Sequence, residues 1–277
     1  MVLENRPVIS PVAIRGPHMI ISPRSIERDP ACDTKAALGA FLSRNPFPDP
    51  LTLGFFYREK MRAIHRIAPA EPLSRILDIG GGRSGISALL YPEAEVVNLD
   101  VDPNYASAPC NSWPGVSFVC GDAVKLPFPD QSFDAVVLFD LLEHVVDDFA
   151  AAREVRRVVR SGGWILLSTP KNTWCYPHFR IMKPLCPPEE KLFAEWGHVR
   201  RGYSETDLTQ LFERQPNKLA SFCSPSTAIG HDIAFSNLNR RSKLALWIAT
   251  SPLTYLGYGL DRGHSQGSEH VAAWRVD

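Results

Sequence analysis

Residues 76–85 read ILDIGGGRSG, and the apolar stretch ISALL follows at residues 86–90. An apolar run, three consecutive glycines and a helix-like stretch, in this order, predict a strand, a tight turn and the start of a helix. Glycine has no Cβ atom, so a ligand can approach the backbone of such a turn closely. The stretch therefore predicts the ligand-binding turn of an α/β fold.

The same turn fits the fingerprint of dinucleotide-binding proteins. Gly80, Gly82 and Gly85 have the spacing GxGxxG, and Asp100 stands at the acidic position about twenty residues further on. These residues alone are compatible with NAD, FAD or S-adenosylmethionine as the cofactor. Motifs later in the chain have to decide among the three.

The composition bounds the class of protein. The chain has 277 residues, of which 44% are hydrophobic and 22% are charged, as in ordinary globular proteins. Its 30 basic and 30 acidic side chains cancel, which gives no indication of a nucleic-acid binder. The six cysteines are scattered without a CxxC pair, so we expect reduced thiols and neither a disulfide framework nor a metal site. The N-terminus lacks the apolar core of a secretory signal, and the expected location is cytoplasmic.

Further strands are predicted from short apolar runs along the chain. They are residues 95–99, 116–120, 133–139, 164–168, 218–224 and 270–276. The earlier strands alternate with helical segments, which is typical of a parallel sheet covered by helices on both faces. The run FDAVVLF at residues 133–139 is almost continuously apolar, as expected for a strand buried on both faces. The sequence therefore predicts a Rossmann-like, doubly wound α/β fold.

Three acidic residues follow predicted strands directly or close them. Asp78, Asp100 and Asp122 each stand at a strand end, and ligands of parallel sheets bind beyond the carboxyl ends of the strands. An ionised carboxylate accepts hydrogen bonds only, so Asp100 could take both hydroxyls of a ribose, with Asp102 as a second candidate. Any one of the three acids alone could be a turn residue that binds no ligand. That explanation fits three acids at successive strand ends much less easily.

The predicted helices add less about function. Residues 53–67 have an amphipathic pattern, and the aromatic and basic start of this helix either lies over a cofactor or packs on the sheet. Asp147 and Asp148 begin another helix, and Gly162 is expected to end it. Residues 106–114 are irregular where a helix would be expected after the second strand.

Three blocks of sequence carry a family resemblance. They are GDAVKLPFPDQSFDAVVLFDLLEHV at residues 121–145, EVRRVVRSGG at residues 154–163 and WILLSTP at residues 164–170. Together with DIGGG and NLD they resemble class I S-adenosylmethionine-dependent methyltransferases of the small-molecule type, from about residue 55 to about residue 213. The order of these motifs favours S-adenosylmethionine over a dinucleotide. The resemblance implies a mostly parallel seven-stranded sheet with an antiparallel last strand.

The resemblance also implies cofactor contacts at the strand ends and in the turns after them. The residues are Asp78, Gly80, Gly81 and Gly82 for the amino-acid end of the cofactor, Asp100 for the ribose, Val101, Asp122 and Ala123 for the adenine, and Asp140 for the methionine portion. Arg83 departs from the family pattern, in which a smaller residue is common, and makes the turn bulkier.

An irregular segment after the fifth strand is the predicted cover of the active site. We call residues 171–203 the cap, because long connections in compact domains are usually functional or disordered. Its aromatic residues, Trp174 among them, either bind the acceptor or form the cap's own small core. The cap ends in an H-x-R-x-x-Y-S stretch that similar methyltransferases carry near the substrate mouth. There His198 would orient the acceptor, Arg200 or Arg201 would bind an anionic group, and Tyr203 would line the site.

The remaining segments complete the predicted organisation. Residues 1–50 are expected to be a partly irregular N-terminal extension, and residues 51–277 the methyltransferase domain, with an insertion at residues 226–268. Within the insertion the uncharged stretch 244–260 contains proline and glycines, so two short helices beside the active site are predicted rather than a transmembrane helix. An interfacial segment with basic flanks is the alternative, and it would suit a lipid-linked acceptor.

These inferences predict methyl transfer to a small-molecule, lipid-linked or sugar acceptor. His144 and His198 are the candidate bases, because imidazole titrates near neutral pH, although a carbon or nitrogen acceptor needs no base. The expected partners are such a substrate and, at most, a membrane surface. The alternatives are an NAD-dependent oxidoreductase and a non-catalytic methyltransferase-like subunit.

Overall fold

The computed structural model describes residues 35–261 and 267–277. Predictions for residues 1–34 lie outside the described residues. The seven strands are β1 Arg75–Ile79, β2 Glu95–Asp100, β3 Val116–Cys120, β4 Phe133–Phe139, β5 Val159–Pro170, β6 Lys218–Phe222 and β7 Glu269–Arg275. They form one sheet in the spatial order β3-β2-β1-β4-β5-β7-β6.

The direction of the strands confirms the predicted fold class. The strands β1 to β5 pair in parallel, and β7 runs antiparallel between β5 and β6. Every residue of β4 is buried, as its apolar run predicts. The chain order reverses at β1, whose neighbours are β2 and β4, and a crevice opens at such a switch point beyond the carboxyl ends of the strands.

Eight α-helices surround the sheet in the described part of the chain. They are α1 Leu38–Ser43, α2 Gly54–Ile67, α3 Ile86–Leu90, α4 Asp148–Val158, α5 Glu189–Trp196, α6 Glu205–Phe212, α7 Ala228–Phe235 and α8 Arg240–Leu260. Short 3₁₀ turns replace a helix between β2 and β3, where the sequence is irregular. The predicted helices at residues 53–67 and after Asp147 are confirmed, and the Asp147 side chain accepts the backbone N–H of Ala150 as an N-cap.

Two details of the sequence prediction are wrong. The helix α4 ends at Val158 rather than near Gly162, because Val159 already pairs with Phe133 of β4. The stretch 244–260 forms part of the single 21-residue helix α8, not two short helices. Pro252 lies inside this helix and has no N–H to donate to the Ile248 carbonyl; the Ser251 hydroxyl donates to that carbonyl instead, at 3.4 Å.

Apolar layers on both faces of the sheet exclude water from it. On one face α2 contributes the fully buried Met61 and Ile64. On the other face α4 and α6 contribute Val155 and Leu208. Burying each of these side chains stabilises the fold by about 1.5–3 kcal/mol. The carboxyl edge of a sheet clamped in this way is a rigid platform for the site.

The cap and α7 share a separate small core. Trp174, Tyr176, Met182 and Leu192 of the cap pack with Ile233 of α7. The cap is therefore folded against the insertion. Its aromatic residues form a small core, as one of the two predictions had it, but this core also includes residues from outside the cap. Among the described residues, the helices are all too short or too polar to cross a membrane.

Candidate active site

The glycine turn joins β1 to α3 at the carboxyl edge of the sheet. The Gly80 N–H donates to the Leu99 carbonyl at 2.7 Å, which fastens the turn to β2. A Cβ atom on Gly81 would lie 2.6 Å from Oδ1 of Asn98 and 2.8 Å from Cγ of Asp78. Gly85 precedes α3 with φ at +61°, which side chains of L-residues rarely permit. The turn therefore presents bare backbone to the crevice.

Asp78 lies beneath this turn with unused hydrogen-bonding capacity. Its Oδ2 accepts the Ser87 hydroxyl at 2.6 Å, while its buried Oδ1 has no hydrogen-bond partner in the described part of the chain. Burial raises the pKa of Asp78 to about 6. A buried acceptor without a partner is costly, so a cationic donor that reached the turn would be bound favourably.

Asp100 and the residue after it form the second part of the crevice. Oδ1 of Asp100 accepts the Asp102 N–H at 3.0 Å, and burial raises the pKa of the Asp100 carboxyl. Its Oδ2 lies 3.9 Å from where a Cβ of Gly82 would be. Val101 is 72% exposed, an open apolar surface beside the acid. Asp102 instead caps the following 3₁₀ turn through the Asn104 N–H, which leaves Asp100 as the acid that faces the turn.

Asp122 and Ala123 follow β3 on the same edge. The strands β2 and β3 end side by side, with Asp100 opposite Cys120 and the Gly121 N–H donating to the Asp100 carbonyl at 3.0 Å. Asp122 is exposed, and one of its oxygens accepts the Val124 N–H, while Ala123 is buried. The edge thus carries the predicted acids in the order of the strands.

A buried ion pair closes the floor of the crevice at β4. Asp140 accepts the Lys60 ammonium at 2.5 Å and the Ser168 hydroxyl at 2.6 Å. Burial alone would lower the pKa of Lys60, but Asp140 and Tyr57 raise it. Burial opposes ionisation of Asp140 as well, yet Lys60 holds the pKa of this carboxyl below its usual value. Both groups are charged at neutral pH, and the floor of the crevice is neutral as a whole.

The two predicted base candidates meet at the mouth. The rings of His144 and His198 lie edge to face with centroids 4.7 Å apart. Burial lowers the pKa of His198 to about 4 and also lowers the pKa of His144, so both imidazoles are neutral at pH 7. Nδ1 of His144 lies 3.3 Å from the Gly197 carbonyl, whereas the buried Nδ1 of His198 has no partner among the described residues.

Glu143 backs this histidine pair. It is 1% exposed and accepts the Thr169 hydroxyl at 3.1 Å. Burial and the nearby charge of Asp140 raise its pKa to about 8, so it is largely protonated at neutral pH. One donor atom each of Glu143, His144 and His198 lies within 4.8 Å of the others. Because Glu143 is neutral, it does not stabilise an imidazolium.

The predicted acceptor-binding residues are held by the fold. The Arg200 guanidinium donates to the Leu142 and Val146 carbonyls and pairs with Asp148 at 2.8 Å. The Tyr203 hydroxyl accepts from Arg200 at 2.6 Å and lies 2.8 Å from Asp148. Trp174 is 2% exposed within the core that the cap shares with α7. Their contacts join the cap to α4 and α7, and their part in binding the acceptor stays a prediction.

Comparisons with known proteins bear on this geometry. Residues 77–167 match the family described as "Methyltransferase domain". A Mycobacterium tuberculosis protein named "Probable S-adenosylmethionine-dependent methyltransferase" is 26% identical over 157 residues, which cover 56% of this chain and 57% of that protein. A demethylmenaquinone methyltransferase of Beutenbergia cavernae is 36% identical over 126 residues, which cover 44% of this chain and 52% of that protein. The chain thus spans about half the length of the curated relatives it matches.

Residues 77–167 of this chain are thus similar to a methyltransferase domain, and the chain resembles S-adenosylmethionine-dependent methyltransferases over about half of its length. The Mycobacterium tuberculosis relative is named for its dependence on S-adenosylmethionine. The solved N-methyltransferase NodS of Bradyrhizobium japonicum, in complex with S-adenosyl-L-homocysteine, shares the fold with a TM-score of 0.51 at 17% identity, covering 86% of this chain and 96% of that one.

The residues of the methyltransferase crevice fit this cofactor. S-adenosylmethionine carries an ammonium group, and the partnerless Oδ1 of Asp78 is a buried acceptor for it. Asp100 would offer a carboxylate to the ribose hydroxyls, and the exposed Val101 would offer an apolar surface to the adenine. The open side of Gly82, where a Cβ would meet nothing nearer than 3.8 Å, leaves room between the two acids. An anionic diphosphate would meet acidic groups here instead.

Three residues of the methyltransferase site escaped the sequence prediction. Lys60 lies on the apolar stripe of α2, where a buried lysine needs a counter-ion, and this spacing was the signal that could have found it. Tyr105 lies close to Gly82 and Asp100, but its segment has no periodic pattern. Glu143 belongs to the LEHV motif, yet its burial and raised pKa follow only from the packing.

Proposed function

We propose that this chain transfers a methyl group from S-adenosylmethionine to a neutral, weakly acidic acceptor that is presented at a lipid surface. The observation that carries the acceptor class is the pair of neutral histidines, His144 and His198, beside the crevice under the cap. The lipid surface rests on a separate observation, the exposed apolar face of α8.

The chain's own residues would position the reactants and remove a proton. The cofactor supplies an electrophilic methyl group, so the protein mainly has to align the acceptor with it and exclude water. An acceptor O–H or C–H loses its proton as the new bond forms, and a neutral imidazole takes that proton. An imidazole with a pKa of about 4 is a weak base. Such a weak base can only assist an acceptor with a comparatively acidic proton, such as the hydroxyl of a phenol or a quinol, which leaves the oxygen as the methyl group binds to the oxygen or the ring carbon.

The two arginines predicted to bind an anionic acceptor are already paired within the fold, which favours a neutral acceptor. Arg200 is paired with Asp148 and two carbonyls. Arg201 donates to the Trp174 carbonyl at 2.7 Å and pairs with Glu189 at 2.6 Å. Releasing either guanidinium to bind an anionic acceptor would break contacts that hold the cap in place. A neutral acceptor requires no such rearrangement.

The lipid surface is proposed from what we call the apolar face of α8. It consists of side chains that are 47% to 72% exposed, namely Leu244, Ile248, Leu253, Tyr255, Leu256 and Leu260. Leu244 and Leu260 are roughly 24 Å apart along a helix that rises 1.5 Å per residue. Exposed apolar surface of this extent marks an interaction site more often than chance.

The charges around this face are complementary to anionic lipid. The segment 240–260 contains Arg240, Arg241 and Lys243 and no acidic residue. Arg241 is exposed, whereas Arg240 pairs with Asp49 at 2.7 Å and Lys243 donates to the Ala234 carbonyl at 2.6 Å. The neighbouring 3₁₀ turn of the cap adds two exposed basic residues, Arg180 and Lys183, and the exposed Ile181. Leu246 of α8 packs against the same cluster as Met182, so the cap turn and α8 adjoin each other. Basic residues at the rim of an apolar helix face are typical of interfacial helices.

Some relatives are consistent with this class of acceptor. The Beutenbergia cavernae relative is named for methylation of demethylmenaquinone, and a Xanthomonas campestris relative, 35% identical over 125 residues, is named for C-methylation in ubiquinone and menaquinone biosynthesis. Their names support testing a quinol as the acceptor.

The experiment offers a reduced, demethylated quinone to the full chain in two forms. One form carries an isoprenoid tail and is embedded in anionic vesicles, and the other is a short, water-soluble analogue. Transfer of labelled methyl from S-adenosylmethionine is followed by product extraction. We expect transfer to both acceptors, and His198→Gln should abolish most of it and change its pH profile. Failure of the wild type to methylate either acceptor would contradict the proposed acceptor class.

A variant of the apolar face separates the lipid surface from the chemistry. Ile248→Glu combined with Leu256→Glu should lower transfer to the vesicle-bound acceptor by about tenfold or more, because each buried leucine-sized side chain contributes at least 1.5 kcal/mol. Transfer to the soluble analogue should not change. Leu38→Glu, at an exposed position of α1, is the matched control. If the double variant methylated the vesicle-bound acceptor as fast as the wild type does, the proposed lipid surface would be refuted. The proposed acceptor class would not be affected by that result.

A further inference from the structure

A second group of chemically reactive side chains lies apart from the crevice, between the cap, α7 and the end of β6. His178 of the cap, Cys223 after β6 and His231 of α7 each offer a ligand atom, and these atoms lie within 4.8 Å of one another. Nε2 of His178 is 3.9 Å from Sγ of Cys223. The rings of His178 and His231 are 5.2 Å apart between centroids. Two imidazoles and a thiol thus converge from three separate elements.

The fold fixes the orientation of the first histidine. The fully buried Asp232 accepts the backbone N–H groups of His178 and Phe179, both at 2.9 Å, and lies 3.0 Å from Nδ1 of His178. A carboxylate can only accept, so Nδ1 carries the proton and Nε2 carries the free lone pair. That lone pair points towards Cys223 and the Ser268 hydroxyl, which is 3.2 Å away. A carboxylate behind a histidine is the usual support of a metal ligand.

The second histidine is buried among aromatic rings, with one ring nitrogen that lacks a hydrogen-bond partner in the described part of the chain. His231 is 7% exposed, and its Nδ1 has no hydrogen-bond partner there. A buried ring nitrogen without a partner is a cost that the fold would remove if it could. One ring nitrogen of His231 lies within 4.8 Å of the ligand atoms of His178 and Cys223, so a metal ion placed between the three residues would give this buried ring a polar partner.

We propose that His178, Cys223 and His231 bind a structural zinc ion. Two imidazoles and a thiolate suit zinc, whose sites are tetrahedral with ligands at 2.0–2.3 Å. Such a geometry separates the ligand atoms by about 3.3–3.6 Å, so side-chain rotations of the present group would close it. Binding displaces the thiol proton of Cys223 to solvent and involves no change of oxidation state.

The residues around the three proposed ligands indicate how the site would be completed and what the ion would do. Glu59 of α2 is 2% exposed, accepts a hydrogen bond from the Cys223 backbone, and has one oxygen without a partner among the described residues. Glu59 is not among the residues whose ligand atoms lie within 4.8 Å of one another, so a movement of its side chain, or a water molecule, would have to complete the four-coordinate site. The ligands are enclosed, which is typical of structural rather than catalytic zinc. The ion would tie the cap to α7 and to the sheet edge beside the crevice.

The test is the binding of cobalt to the full chain after treatment with a chelator. Cobalt(II) replaces zinc in such sites and reports a thiolate ligand by its near-ultraviolet charge-transfer absorption. We expect one equivalent of cobalt to produce this absorption, and zinc to displace it. Cys223→Ser should abolish the absorption, while Cys120→Ser, which removes an exposed thiol elsewhere, should retain it. His231→Gln should weaken the affinity by at least about tenfold.

If a variant fails to fold, measurements on the wild-type chain alone still test the proposed zinc site. Zinc should raise its melting temperature progressively with concentration, because a ligand of the folded state stabilises it by mass action. No cobalt charge-transfer band in the folded wild type, or no effect of zinc on melting, would overturn the proposal. A band that survives in Cys223→Ser would also overturn it. These outcomes are independent of methyl-transfer activity.

Discussion

Variants of the ion pair between Lys60 and Asp140 test how much this pair at the floor of the crevice contributes to stability. Lys60→Met keeps the length of the side chain and removes its charge. Asp140→Asn keeps the shape and suits the backbone, because Asp140 has φ at +52°, a conformation that asparagine also tolerates. The side chain of Lys60 is 3% exposed and that of Asp140 is 29% exposed. Each single variant leaves one charge without its partner. The charge left by Asp140→Asn is more deeply buried than the charge left by Lys60→Met.

The expected magnitudes follow from this difference. Removing one partner of a fully buried pair costs about 3–5 kcal/mol in the free energy of unfolding. Asp140→Asn strands the nearly inaccessible lysine and should cost that amount. Lys60→Met leaves Asp140 with the Ser168 hydroxyl and some solvent, so about 2–3 kcal/mol is expected. The double variant buries no net charge and should be more stable than Asp140→Asn alone.

Urea unfolding of the wild type, the two single variants and the double variant completes a double-mutant cycle. The account predicts a coupling free energy of about 2–3 kcal/mol and the larger loss for Asp140→Asn. Losses that add to within about 0.5 kcal/mol would refute the claim that the two charges depend on each other. A larger loss for Lys60→Met would refute the ranking by burial.

Three further predictions concern the turn, its acid and one helix end. Gly81→Ala should cost about 1–3 kcal/mol in urea unfolding and weaken cofactor binding, because its Cβ would meet Asn98 at 2.6 Å, whereas the unobstructed Gly39→Ala in α1 should not destabilise. Since only ionised Asp78 attracts the cofactor ammonium and its pKa is about 6, calorimetric affinity should fall about tenfold from pH 7 to pH 5, a dependence that Asp78→Asn should remove. Ser204→Ala should lower stability by about 1 kcal/mol, because Ser204 forms a capping box with Asp207; an unchanged urea midpoint would contradict this.

The sheet, and the placement of acidic residues at its carboxyl edge, could be predicted from the sequence because their signals are local. The run 133–139 and the glycine turn each encode one element within a few neighbouring residues. The acids Asp78, Asp100 and Asp122 stand at strand ends, and parallel strands bring such ends to one edge. The antiparallel position of β7 came from the family resemblance rather than from any local pattern.

The groups that the prediction missed depend on contacts between distant residues. Lys60 and Asp140 are 80 positions apart, and Arg200 meets Asp148 across the whole of β5. The cysteine pattern gave no indication of a metal site, since the proposed ligands His178, Cys223 and His231 converge only in the fold. Helix α8 was divided at Pro252 because a sequence pattern does not show that Ser251 compensates for the missing backbone hydrogen bond.

The central claim is that the acidic edge of this sheet binds S-adenosylmethionine. The most direct measurement is calorimetric titration of the full chain with S-adenosylmethionine and, separately, with NAD, repeated on Asp100→Ala. The account predicts that S-adenosylmethionine binds at one site, that Asp100→Ala weakens this binding by about tenfold or more through loss of hydrogen bonds to a charged acceptor, and that NAD does not bind. Binding of NAD instead, or binding of S-adenosylmethionine that is unchanged in Asp100→Ala, would contradict it.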